Sequence, residues 1–114
     1  MAYKDPEKQR AAWRKHYANN KAQYTQRNKD RKAAVRAYVV ELKATTPCAD
    51  CGRLLPFYMM DFDHLDGDDK EASISRMVTN GYSLKRVKAE IAKCEIVCSN
   101  DHRERTWNRL FNPE

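Results

Sequence analysis

From Glu7 to Thr46 the chain has neither glycine nor proline, and prolines stand at both ends of that stretch, Pro6 and Pro47. At about 1.5 Å per residue, an unbroken run of this length predicts one helix roughly 60 Å long. Asp5 supplies an N-cap, Pro6 suits the first turn and Glu7 lies at the positive end of the helix dipole. Helix is the expected state throughout, and Asn19-Asn20 is the one place that offers a break, because asparagine side chains compete with the helix for backbone bonds. Apolar positions are sparse. Trp13, Tyr17 and Tyr24 make a thin stripe, and only Val35, Tyr38, Val39 and Leu42 are dense enough to dock on anything. Residues 1–46 therefore read as an extended arm anchored by its last turns.

The arm also holds the charge. Residues 1–43 carry twelve Lys/Arg against four Asp/Glu, a local charge of +8, whereas the rest of the chain carries ten against twelve. A field of this sign favours a polyanionic partner and salt-sensitive association. Arg10, Arg14, Lys15, Lys21, Arg27, Arg31 and Lys32 are the candidate phosphate contacts. The aromatic stripe is suited either to stacking on bases or to packing on a partner helix or a second copy.

Residues 47–114 form the compact part. With 33% of the sequence charged, its core is small and calls for a staple. No apolar run approaches the length of a membrane-spanning helix, and MAYKDPEKQR lacks the apolar stretch of a signal peptide. No membrane partner and a cytoplasmic location are expected. In a reducing compartment the four cysteines read as metal ligands or packed thiols, not disulfides. The expected order is a strand over Phe57–Phe62, a polar loop over Asp63–Asp69 and a short helix over Ile74–Val78 closed by Asn80-Gly81. A helix capped by Ser83 follows, then a strand over Cys94–Cys98 and a helix from about Asn100 to Leu110, buried through Trp107, Leu110 and Phe111. This is an α+β pattern.

Cys48-Ala-Asp-Cys51-Gly52 is a metal-ligand pair: two intervening residues let both thiolates reach one ion, and the glycine lets backbone amides turn towards them. Cys98-x2-Asp101 has the matching spacing but ends in a carboxylate; Cys94-x3-Cys98 has two thiols but one more residue. Zinc accepts either set. Asp63-His64 follows the first strand, and His102 opens the last helix. A carboxylate and an imidazole can hold a divalent cation while a second imidazole deprotonates water, which suits phosphodiester hydrolysis. The cysteine pairs bracket these residues, so closing the staple brings 63–64 against the start of the last helix.

CADCG, MDFDH and EIAKCEIVCSNDHRERT together resemble the small phage and bacterial HNH endonucleases, over about residues 47–108. The resemblance implies a ββα-metal fold with inserted helices, with Asp63 and His102 as ligands of a catalytic divalent ion, His64 as general base and a structural zinc. It implies magnesium, manganese or another transition metal at the catalytic site, and double-stranded DNA as substrate, nicked or cut. Three positions depart from the family pattern. Asp101 stands where a cysteine is usual, Lys93-Cys94 where the middle asparagine is usual, and Thr106 where many relatives have a further histidine. Asn100 is the nearest asparagine and takes the helper role in the catalytic centre; Arg103 and Arg105 adjoin His102 as phosphate contacts. Two rival readings remain from sequence: a zinc-bearing DNA-binding module without cleavage, and an accessory protein, such as a phage packaging partner or homodimer, that works through the Trp13/Tyr17/Tyr24 stripe.

Overall fold

A computed structural model of the chain describes residues 5–112. Lys4 of the basic arm and residues 113–114 of the compact part lie outside them. The protein is mixed α+β and mostly helical, with one two-stranded antiparallel sheet.

Helix α1 spans Pro6–Thr45 without interruption, and the Asp5 carboxylate accepts the Glu7 amide. The helix expected over this stretch runs through Asn19-Asn20 without a break. Asn20 Nδ2 donates instead to the His16 carbonyl at 2.8 Å, a side-chain bond the helix accommodates, and no glycine or proline forces the chain out. Only Val35 and Val39 of α1 are buried. The aromatic stripe lies on the same side. Tyr24, Tyr17 and Trp13 precede Val35 by 11, 18 and 22 residues, which at about 100° per residue points all three within roughly 40° of its direction. Tyr17 and Tyr24 stack with ring centroids 5.7 Å apart.

After a turn at Phe57–Met59, strand β1 runs Met60–His64 and pairs antiparallel with β2, Cys94–Cys98. The strand predicted at 57–62 thus begins three residues late and takes in Asp63 and His64, which sequence reasoning left in a loop. Tyr58 and its neighbours fold into a single 3-10 turn after Pro56, whose N–H is missing from any ladder. Helix α2 spans Ile74–Thr79 and α3 spans Leu84–Ile91, capped by the Ser73 and Ser83 hydroxyls. The chain turns between them at Gly81, with φ +77°. Helix α4 spans Ser99–Phe111.

Two apolar clusters hold these elements. Val35 and Val39 meet Ile74, Met77, Val78 and Val87 from α2 and α3. Cys48, Met60, Ile96, Val97 and Cys98 form the second around the hairpin, and Phe62 touches both. Helix α4 contributes no buried residue. Trp107, Leu110 and Phe111, expected as its buried side, are exposed; the inward face is instead His102, Arg105 and Arg109, drawn to carboxylates on β1.

Candidate functional site

The first group sits at the join of two turns. Cys48, Cys51, Cys98 and Asp101 place one ligand atom each within 4.8 Å of one another. Asp101 Oδ2 lies 3.1 Å from Cys48 Sγ and 3.2 Å from Cys98 Sγ. A tetrahedral zinc site, with bonds of about 2.0–2.3 Å, has ligand–ligand edges of roughly 3.3–3.8 Å, so small adjustments close this set around an ion. The amides of Cys51 and Cys98 both point at Cys48 Sγ. Burial pushes the Cys48 thiol up, but these amides and that of Asp50 outweigh it and hold the thiol below its ordinary range. Bonds from Cys48, Cys98 and Cys51 hold Asp101 low as well. The donor set fits a structural metal ion. Cys94 stands apart: it is at the far end of β2, roughly 13 Å along the strand, and its thiol donates to the Glu90 carbonyl. Of the two sequence alternatives, Asp101 and not Cys94 joins the group.

The second group lies between the hairpin and α4. Strand alternation points Asp61 and Asp63 to one face of β1 and Met60, Phe62 and His64 to the other. His102, in the first turn of α4, bridges the two carboxylates. Its Nδ1 is 3.0 Å from Asp61 Oδ2 and its Nε2 is 3.5 Å from Asp63 Oδ1. Cis ligands of an octahedral ion with bonds near 2.1 Å lie roughly 3 Å apart. The 3.5 Å between Asp63 Oδ1 and His102 Nε2 is near that spacing, with Asp61 bracing the opposite nitrogen, but an ion there would have to displace a guanidinium from Asp63. An open cleft of ≈ 380 Å³ beside them is lined by Asp61, Ser99, His102, Arg103 and Thr106. Thr106 turns its hydroxyl to the His102 carbonyl.

Asp63 is also gripped by two guanidinium groups one helical turn apart. Arg109 contacts both its oxygens at 2.7 Å and Arg105 contacts Oδ2 at 2.9 Å. Burial alone would raise this carboxyl, but the bonds from Arg109 and Arg105 and the nearby His102 outweigh it and bring it down to about 2. Arg105 reaches on to Asp50 at 2.6 Å and Glu95 at 3.0 Å. It was expected to face phosphates; its donors are instead shared among three carboxylates.

The sequence-predicted residues therefore divide. Asp63 and His102 come together. His64 lies on the opposite face of β1, where its Nε2 is 2.7 Å from Glu90 Oε2. Asn100 is exposed near the 53–59 loop, in a pocket with Arg53, Leu55, Tyr58 and Met59, away from His102. Arg10, Arg14, Lys15, Lys21, Arg27, Arg31 and Lys32 are all exposed along α1, and Arg103 is exposed at the cleft. Sequence reasoning missed Asp61, Arg109 and Glu90. The Asp-x-Asp alternation of a strand was signal enough for Asp61, whereas Arg109 is found only through the seven-residue repeat that puts it on the His102 face of α4. Comparison of the chain with protein-family models, curated proteins and solved structures gives no match. Among the described residues, no helix is long and apolar enough to cross a membrane.

Proposed function

We propose that the chain is a metal-dependent endonuclease of the HNH type, hydrolysing phosphodiester bonds in double-stranded DNA, with its hairpin and α4 as a ββα-metal unit. The observation that carries this reading is the Asp63–His102 pair held across β1 and α4 and braced by Asp61, with Asp61 and His102 lining a cleft above the buried Asp63. Asp63 and His102 would hold magnesium, manganese or another transition metal, which when bound stabilises charge on the phosphate oxygens. His64 takes a proton from water; the hydroxide forms the new P–O bond, the bridging P–O bond breaks and the leaving oxygen is protonated from solvent. Cys48, Cys51, Cys98 and Asp101 would hold a structural zinc. The exposed cations of α1 and Arg103 grip the duplex through its phosphates.

Plasmid nicking tests the reading. Supercoiled DNA should be nicked with magnesium or manganese, the rate should fall by roughly 10²–10⁴-fold in His64→Ala, and DNA binding should persist. Intact plasmid with every divalent metal, but retained binding, would instead support a zinc-bearing DNA-binding module. Two observations favour that second reading: both Asp63 oxygens are already taken by arginine, and His64 projects from the opposite face of β1 to Asp63 and His102.

A further inference from the structure

Glu90 is the most deeply buried ionisable group among the described residues of the compact part, 1% exposed, and nothing in the proposed chemistry so far uses it. Three groups face its carboxylate and a fourth its backbone. From β1, His64 Nε2 lies 2.7 Å from Oε2; from the loop before α2, the Glu71 amide donates to the same oxygen at 3.1 Å. From the turn after α3, Lys93 Nζ lies 2.9 Å from Oε1 and ties on to the Asp69 carbonyl at 2.8 Å. From β2, the Cys94 thiol stands at the Glu90 backbone. Burial works against the charge, but Lys93, His64 and the Glu71 amide outweigh it and hold the carboxyl below its ordinary range.

An ionised carboxylate only accepts hydrogen bonds. At this distance Nε2 must therefore carry a proton, and in the neutral ring Nδ1 is left with the lone pair. Nδ1 makes no bond to a described protein group, and among the described residues no buried side-chain nitrogen or oxygen lacks a partner. The His64 side chain is 8% exposed, so Nδ1 is the ring nitrogen left unbonded at a narrow opening.

We propose that Glu90 is a positioning residue: it locks His64 as the Nε2–H tautomer and presents Nδ1 as the atom that accepts the proton from water. The role of Nδ1 rests on the nuclease reading, while the tautomer does not. Lys93 and the Glu71 amide in turn fix the carboxylate, so the loop between β1 and α2 is fastened to the same pair.

The experiment has two arms, both on the full chain. Long-range ¹H–¹⁵N correlation of the His64 ring near pH 8 should show Nε2 protonated and Nδ1 bare. A ring protonated on Nδ1, or on both nitrogens, overturns the proposal. Nicking is then measured for Glu90→Gln, which keeps the shape and an acceptor oxygen but loses the negative charge facing Nε2. Its kcat should fall about tenfold or more, within the range a general base supplies, with KM for DNA unchanged. In a His64→Ala background the same substitution should cost nothing further. A wild-type rate, a matching rise in KM, or full additivity with His64→Ala would overturn it. If the wild-type chain nicks with no metal, the nuclease reading fails and the Nδ1 role with it, while the ring spectrum still decides whether Glu90 sets the tautomer.

Discussion

Of the forty residues of α1, the two that are buried are valines; α4 buries none of its thirteen, yet turns His102, Arg105 and Arg109 inward and leaves Trp107, Leu110 and Phe111 outside. The first docks on α2 and α3 and the second on the hairpin, and they hold to the body by opposite chemistry. The α1 contact is hydrophobic at Val35 and Val39, where nothing titrates. The α4 contact depends on Asp63 staying ionised between two guanidinium groups, and a buried ion pair of this kind offsets a desolvation cost before it stabilises anything. The difference separates anchoring from a site. A helix that only had to be fixed in place would use its Trp, Leu and Phe, whereas one fixed through charges keeps polar groups beside a cleft, where a cation or phosphate can compete for them.

Three measurements bear on this contrast. The largest effect should come from Cys48→Ser, which removes the thiol on which the Cys51 and Cys98 amides converge. Metal content should fall and the compact part should lose its cooperative thermal transition, because a structural metal's binding energy is folding energy. An unchanged melt, with wild-type protein free of metal after non-chelating purification, would mean the thiols simply pack.

Next, Asp63→Asn should cost about 2 kcal/mol at neutral pH, from a carboxyl held at about 2 against an ordinary value near 3.9. The sign follows from the depressed value: this stabilisation is fully present above the unfolded-state value and is lost as pH falls from about 4 towards 2. Val35→Ala, at a site 2% exposed, should cost a similar amount, about 2 kcal/mol, at every pH. Urea unfolding of both variants from pH 7 to 3 sharpens the comparison, and a deficit in Asp63→Asn that does not narrow below pH 4 would break it. The smallest effect should be Leu110→Ser, under about 0.5 kcal/mol for so exposed a side chain. A loss well above 1 kcal/mol would show that the outer face of α4 is covered in solution.

Much of the architecture was legible in the sequence. The absence of breakers gave α1, Ser73 and Ser83 sit where helix caps belong, and Cys94–Cys98 stood out as a strand. The cysteine spacing also brought His102 to Asp63. Two things were not legible. Apolar periodicity assigned the wrong face of α4, because it weighs Trp107 and Leu110 by hydrophobicity and cannot see two arginines drawn by Asp63, Asp50 and Glu95. Adjacency in sequence joined Asp63 to His64, but in a strand neighbours point to opposite faces. The same alternation puts Asp61 beside Asp63 and His64 beside Glu90.

Because α1 is one unbroken helix, the direction of its outer aromatic stripe is set by the seat of Val35 and Val39 in the body, some 15 to 30 Å away. The helix behaves as a keyed shaft. Adding one residue between Arg31 and Val35 would swing Trp13, Tyr17 and Tyr24 by about 100° about the axis, with composition and charge nearly untouched, whereas adding seven would return them close to their bearing and carry them about 10 Å further out. Whatever the arm grips, it grips at a fixed azimuth relative to the hairpin, and the length of the chain between the two is constrained in phase more tightly than in distance.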